Sequence, residues 1–318
     1  MSTQSESSFD LDAFRERWEP RIERLKRGWN RYTTHKMGVI GLVILAVFIL
    51  WALFPWAFTP HTPEWQAYIG YENTRMTPDQ VSSLPHPPAF GDPFFAPLGT
   101  NVNGYGVYTL LVYAAKDALY IGFAAGLLSS LVGVPLGLIS GFYGDTWIDE
   151  LIQRIVDVMY GLPFLPFLVV LVAIRGVNTT NIILGIAITS WLNNCILIRG
   201  ETLSLKERSY IDSAKVAGAS DTRIVFRHIL PNVLPLAFVF LAQDAAIAIL
   251  TQASLAYLGL ADFTANSWGL MIENVKAHGY IYNAPWWLLP PGIAITLIAA
   301  AFYFIGFSME DVTNPQKE

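Results

Sequence analysis

Six apolar stretches, each about twenty residues long, alternate with short polar segments along this chain, at 37–58, 119–142, 156–174, 182–198, 233–258 and 286–307. At about 1.5 Å of rise per residue, a helix of that length crosses the ~30 Å hydrocarbon layer of a bilayer. The pattern therefore predicts an all-α polytopic membrane protein with six transmembrane helices. Pro135, Pro163 and Pro166 fall inside or at the ends of these runs, where neighbouring helices can re-satisfy the carbonyls a kink frees. The polar lead-in of 36 residues before the first run is too long for a cleaved signal peptide, so 37–58 reads as a retained first span. Residues 59–118 are rich in proline and aromatic side chains, which suits an external loop leading to the core. Spans two to six then fill 119–307, and 308–318 form a short tail.

The polar stretch that departs most from this alternation is 199–232, set between two strongly apolar runs. It reads as two short helices with a sharp bend. Ser209 stands where its hydroxyl could cap the first helix, with Asp212 as its capping-box partner. Gly218 ends that helix without a Cβ penalty. Ser220 is placed to cap the second helix, with Ala219 and Ile224 at the positions of a hydrophobic staple. Pro231 removes the donor that would let the second helix continue.

Composition narrows the class further. Hydrophobic residues make up 53% of the chain and charged ones 14%, which excludes a single soluble domain. The formal charge of −5 is less informative than where the basic residues lie. Arg15, Arg17, Arg21, Arg24, Lys26, Arg27, Arg31 and Lys36 crowd the leader 1–36, whose Phe14, Trp18, Ile22, Leu25 and Trp29 recur at helical spacing. Arg154, the six basic residues of 199–232 and Lys317 lie on the same side of a topology with both termini inside, so sixteen of the twenty Lys and Arg are cytoplasmic. Arg75, Lys116, Arg175 and Lys276 are external. This asymmetry places the helix pair and both ends in the cytoplasm.

Motifs for catalysis, phosphate binding or metal binding are absent from the sequence, and nothing points to nucleic acid. Cys195 is a single cysteine within an apolar run, suited to packing. No residue is a candidate for covalent chemistry or for holding a cofactor or a metal, so the chain reads as a transporter and not an enzyme. Energy for uphill transport must then enter through another subunit, or through an ion gradient acting on intramembrane Asp157 or Asp244.

The stretch 199–232 resembles the "EAA" loop of ABC-importer permeases, E-A-A-x3-G-x9-I-x-L-P. Asp212, Ser213 and Ala214 stand for Glu-Ala-Ala, Gly218 for the glycine, His228 for the isoleucine, and Leu230-Pro231 match outright. Further motifs occur in order: Pro97-Leu98-Gly99-Thr100, GFYGDTWIDELIQRIVDVMYGLPFLP from Gly141, RHILPN, ASLAYLGL from Ala253, Ser267-Trp268-Gly269 and Ala284-Pro285-Trp286 with Pro291-Gly292. Together they resemble the dipeptide/oligopeptide/nickel permease family, and within it the second, C-type subunit, over 37–315. The resemblance implies a subunit of a prokaryotic cytoplasmic-membrane importer. Its partners would be a second homologous permease, two ABC ATPases that bind ATP and Mg, and an extracytoplasmic binding protein. It implies ATPase coupling through Asp212, Ser213, Ala214, Gly218, Ala219, Arg227, Leu230 and Pro231. Peptides or oligosaccharides are the implied substrates. Two departures remove charge: Asn101 and Gly104-Tyr105-Gly106 replace an Arg-Asp pattern, and Gln252 replaces a glutamate.

Polar residues inside the apolar runs are the candidates for a substrate pathway. Asp244 lies near the middle of 233–258, where an aspartate facing lipid costs about 2.5–3.5 kcal/mol on insertion scales. Thr251 and Gln252 follow about two turns on, and the preceding run carries Asn193 and Asn194. A polar stripe on adjacent spans is what a water-filled route requires.

Overall fold

The computed structural model describes residues 30, 32–59, 61–63, 85–88 and 96–313, the side chains of 311–313 excepted. Most of the basic leader, most of the external loop and residues 314–318 lie outside the described residues. In chain order the helices are α1 (Lys36–Leu53), α2 (Pro55–Phe58), α3 (Val107–Phe142), α4 (Trp147–Tyr160), α5 (Phe164–Arg175), α6 (Thr179–Lys206), α7 (Ser209–Val216), α8 (Asp221–Ile224), α9 (Leu230–Tyr257), α10 (Trp268–Ala277) and α11 (Pro285–Thr313). Thr100 and Gly106 form an isolated antiparallel bridge.

Among the described residues, five helical segments are long and apolar enough to cross a membrane, and α4 with α5 makes a sixth span only as a bent pair. Two of the expected spans differ from their hydropathy outlines. The run at 119–142 is the later part of α3, a 36-residue helix that begins at Val107. The run at 156–174 is not one helix: the chain turns by 86° between α4 and α5. Gly161-Leu162-Pro163 form the break, with Pro163 as N-cap of α5. Proline carries no N–H and disfavours helical geometry in the residue before it, so α4 cannot run into α5 here.

The core is built on α3. Gly133, Gly137 and Gly141 line the face that meets α6. A Cβ at Gly133 would sit 2.6 Å from the Trp191 carbonyl oxygen, at Gly137 2.6 Å from that of Cys195, and at Gly141 2.7 Å from that of Arg199. On another face, Gly126 meets α9, where a Cβ would stand 2.8 Å from the Leu241 carbonyl. In lipid, where apolar side chains gain little from leaving the tails, such small residues let backbones approach and dispersion contacts accumulate. Phe48, Leu111, Ala245, Trp268, Trp287 and Phe302 share one apolar cluster that joins α1, α3, α9, α10 and α11.

Outside the spans, local chemistry fixes the turns. Asp145, with φ of 63°, turns the chain between α3 and α4; Asp is one of the few residues that enters the left-handed region readily. Asn178 caps α6 by accepting from the Asn181 N–H at 2.8 Å. Asp262, in the α9–α10 loop, accepts from the N–H and hydroxyl of Thr179 at 2.8 Å each. Burial pushes the Asp262 carboxyl up, but donors from Thr264 and Thr179 outweigh it and hold the group at about 2.

Candidate functional site

Two places concentrate polar chemistry: a cavity where α4, α5, α6 and α9 meet, and a helical hairpin at the far end of α6.

The cavity has a volume of about 210 Å³ and is lined in part by the α4–α5 break, at Leu162. Irregular backbone at membrane depth is tolerated where it lines such a space. Its polar lining comes from Tyr160 at the end of α4, Thr189, Ser190 and Asn193 on α6, and Asp244 on α9, with Leu162, Phe164, Phe167 and Ile247 among the apolar walls. The Tyr160 hydroxyl donates to Asn193 Oδ1, so the broken helix and α6 meet across the cavity wall.

Asp244 is 4% exposed. The Ser129 hydroxyl donates to its Oδ2 at 2.6 Å and the Asn194 amide donates to the same oxygen at 2.7 Å. The Asn194 amide also reaches Ser129 Oγ at 3.0 Å. Three helices, α3, α6 and α9, thus converge on one carboxylate.

The five candidate pathway residues separate. Asp244 and Asn193 line the cavity, while Asn194 lies behind it as a donor to Asp244. Thr251 is buried further along α9. Gln252 points elsewhere: its amide donates to Ser267 Oγ at 3.0 Å, and Ser267 caps α10 by accepting from the Leu270 N–H at 3.2 Å. Helix α9 therefore serves two ends, a cavity at Asp244 and a clamp on α10 at Gln252. Asp157, on α4, is exposed and does not share the Asp244 cluster.

The hairpin follows α6 directly. Gly218 has φ of 79°, its N–H donates to the Lys215 carbonyl, and the Ala219 N–H to that of Ala214. This pair of bonds is a Schellman closure, which satisfies carbonyls that α7 would leave orphaned. Ser220 then caps α8 by accepting from the Arg223 N–H at 3.4 Å. Ala219 packs on the buried cluster that contains Ile224, in keeping with a staple.

Two expectations for the hairpin need correction. Ser209 does not cap α7: Arg208 is the N-cap, without a side-chain bond, and Ser209 is the first helical residue. Its carbonyl accepts from the Ser213 hydroxyl at 3.0 Å, and Asp212 approaches Lys215 at 3.7 Å instead of reaching back. Nor does Pro231 stop the second helix. A π-helical turn, Val225–Ile229, joins α8 to α9, with proline in the first turn of α9. Proline offers no N–H to the Arg227 carbonyl four residues back and its ring crowds that carbonyl, so the wider turn lets the helix continue. The Asn232 amide donates to the His228 carbonyl at 2.5 Å.

Inside the hairpin, Ile211, Ile224, Ile229 and Val233 are buried together with Leu138 and Phe142 of α3 and Ile198 and Leu205 of α6. Its outer face leaves Asp212, Ser213, Gly218, Arg227 and Pro231 exposed, Ala214, Ala219 and Leu230 half-buried, and Val216 and Phe226 are the most exposed of its large apolar side chains.

An ion pair that sequence reasoning did not single out sits just above. Arg199 on α6 grips Asp149 of α4 through two bonds, Nε to Oδ1 at 2.7 Å and Nη2 to Oδ2 at 2.6 Å. The Ser140 hydroxyl donates to the same carboxylate at 2.5 Å, and Gln153 donates to Ser140 at 2.9 Å. Fifty residues separate the charged partners, so no local spacing reveals them. Ser129-Ser130, by contrast, is a polar pair in the middle of an apolar run, a signal that could have located the Asp244 cluster.

Membrane-spanning helices around a polar cavity, one of them broken at its wall, with a capped hairpin tied to one end, define a polytopic transport protein. Residues 133–317 match the model for the "binding-protein-dependent transport system inner membrane component", and residues 24–78 match the "N-terminal TM domain of oligopeptide transport permease C". The chain belongs to the family of inner-membrane permease components of binding-protein-dependent transport systems. It is 34% identical over 300 residues to the dipeptide transport system permease protein DppC of Alkalihalophilus pseudofirmus, covering 94% of this chain and 90% of the relative. It is 30% identical to the oligopeptide transport system permease protein OppC of Bacillus subtilis, covering 90% and 88%. Its fold is similar to a chain of the inward-facing MetNI methionine ABC transporter, with a TM-score of 0.51 at 19% identity, over 64% of this chain and 94% of that one.

Proposed function

We propose that this chain is the C-type permease subunit of an ATP-driven importer of di- or oligopeptides, working by alternating access. Beside it stand a second, homologous permease, two ABC ATPases that bind ATP and Mg, and an extracytoplasmic binding protein. Both termini and the hairpin face the cytoplasm, where Asp212, Ser213, Ala214, Gly218, Ala219, Arg227, Leu230 and Pro231 form or support the ATPase-docking element. Peptides are favoured because the relatives are named as dipeptide, oligopeptide and peptide permeases.

The observation that carries this reading is the continuity of the hairpin with the cavity. The second hairpin helix runs through the π turn into α9 as one 37-residue segment, and α9 brings Asp244 to the cavity. A push on a capped, apolar-cored hairpin moves α9 as a body, which a loose loop could not do. The cavity is smaller than the ~300–1,000 Å³ typical of small-molecule sites, as befits one wall of a passage that a second permease completes.

Membrane vesicles test the reading. Uptake of a labelled dipeptide should require ATP and the partner ATPases together. Uptake by this chain alone on an ion gradient, abolished by Asp157→Asn or Asp244→Asn, would instead establish an ion-coupled carrier.

A further inference from the structure

The donors that reach the Asp244 carboxylate are neutral. Ser129 and Asn194 supply two hydrogen bonds, both to Oδ2, and among the described residues no Lys or Arg pairs with it. The other buried carboxylate on these helices, Asp149, is gripped by a guanidinium. A negative charge held in membrane-spanning segments without a counter-charge is costly, and such groups mark paths for ions or charged substrates. Asp244 also lines the cavity, whose walls include no basic residue, and its two partners leave Oδ1 unengaged.

We infer that Asp244 is a cation subsite, and that the group it receives is the α-ammonium of a peptide in transit. The inference deepens the peptide reading and rests on it for the identity of the ligand. Ser129 and Asn194 both donate to Oδ2, which leaves Oδ1 for a ligand in the cavity, where an ammonium gains a charge-assisted hydrogen bond. The aromatic ring of Tyr160 and the amide of Asn193, also on the wall, leave the rest of the ligand unspecified. A subsite that reads only the ammonium end suits a permease passing many sequences, since every unmodified peptide carries that group.

The test reads charge at the cavity directly. In a Cys195→Ser background, Ile247→Cys places a thiol on the cavity wall one helical turn from Asp244, and Thr189→Cys provides a second reporter should the first fail to assemble. Modification rates are measured in membranes containing the whole complex, with a cationic trimethylammonium-ethyl and an anionic sulfonato-ethyl methanethiosulfonate. Attraction of one reagent and repulsion of the other by a unit charge at close range should favour the cation by about tenfold relative to the free-thiol ratio. Asp244→Asn, which keeps both donors satisfied, should remove that preference.

A ratio equal to that of a free thiol in the parent, or one unchanged in Asp244→Asn, overturns the subsite, because the carboxyl is then neutral or turned away. The ligand is tested by dipeptide uptake through the reconstituted complex. Asp244→Asn should lower uptake at least about tenfold, the size expected for losing a charge-assisted contact, with subunit composition intact. Undiminished uptake alongside a lost labelling preference refutes the peptide ammonium as ligand. A parental complex that takes up no peptide at all refutes the peptide reading, while the labelling result still decides the cation subsite.

Discussion

The glycine seam between α3 and α6 permits a controlled test of what holds this bundle together. At Gly137 a Cβ would lie 2.6 Å from the Cys195 carbonyl oxygen and 2.8 Å from Ile198 Cβ, whereas at Gly200, also helical, nothing lies within 4 Å. Gly→Ala gains about 0.8–1 kcal/mol of intrinsic helix propensity at either position. At Gly200 that gain stands alone. At Gly137 the seam must open by about 0.8 Å, from 2.6 Å to the 3.4 Å at which ordinary contact begins, and the obstacle is backbone. Forcing a methyl into such packing costs about 1–3 kcal/mol, and separating the helices also loosens the contacts of Gly133 and Gly141. Gly137→Ala should therefore be less stable than Gly200→Ala by about 1–3 kcal/mol, and Gly137→Val worse again. Thermal denaturation of the detergent-solubilised complex, followed by fluorescence-detected gel filtration, ranks the variants. Gly137→Val melting with the parent would show that the α3–α6 interface is not set by backbone proximity.

Three further outcomes are expected. With Cys195→Ser as background, Tyr282→Cys (93% exposed) should react with an impermeant thiol reagent on intact cells and Val216→Cys (91% exposed) only after permeabilisation; the reverse order would invert the proposed topology. Gly218→Val, at φ of 79° with open space around it, suffers conformational strain of about 1–2 kcal/mol without a clash, so the spans should insert while peptide uptake and ATPase retention fall, and normal values for both would remove the bend from coupling. Arg199→Leu leaves the buried Asp149 carboxylate without its cation and should cost about 2–4 kcal/mol, seen as a lower melting temperature that Arg199→Lys restores in part; equal losses in Leu and Lys would mean that packing and not charge holds the joint.

The parts of this molecule that were legible in the sequence are those governed by neighbours along the chain. Gly218 and Ser220 could be read because a left-handed residue and an N-cap act within four residues. The spans showed themselves by length alone. Hydropathy could not show that α3 begins at Val107, because Tyr108, Lys116 and Asp117 dilute the run, nor that Pro163 marks an 86° turn instead of a kink. Pro231 misled for a related reason: a proline excludes one hydrogen-bond pattern, and the chain adopted a wider turn that the rule does not exclude. Ser209 looked like a cap, yet the turn after α6 left Arg208 in that place. The site was half legible. Asp244 and Asn193 reach the cavity as their polarity implied, but Gln252 is drawn away by Ser267, fifteen residues on, and the Asp149–Arg199 pair depends on contacts that only the folded chain creates.

Helix α3 has a length of about 54 Å for its 36 residues, against ~30 Å of hydrocarbon, so it is roughly 24 Å longer than that layer is thick. Its first turns, at Val107 and Leu111, are embedded with Trp268 and Trp287 in one cluster, and its last, at Leu138 and Phe142, with the hairpin residues Ile211 and Ile224 in another. A rigid rod of that length, pivoting near its middle, would act as a lever. A tilt of about 10° about its midpoint displaces each end by about 5 Å, in opposite directions. A small rotation imposed on one side of the membrane would arrive on the other as a movement the size of a side chain.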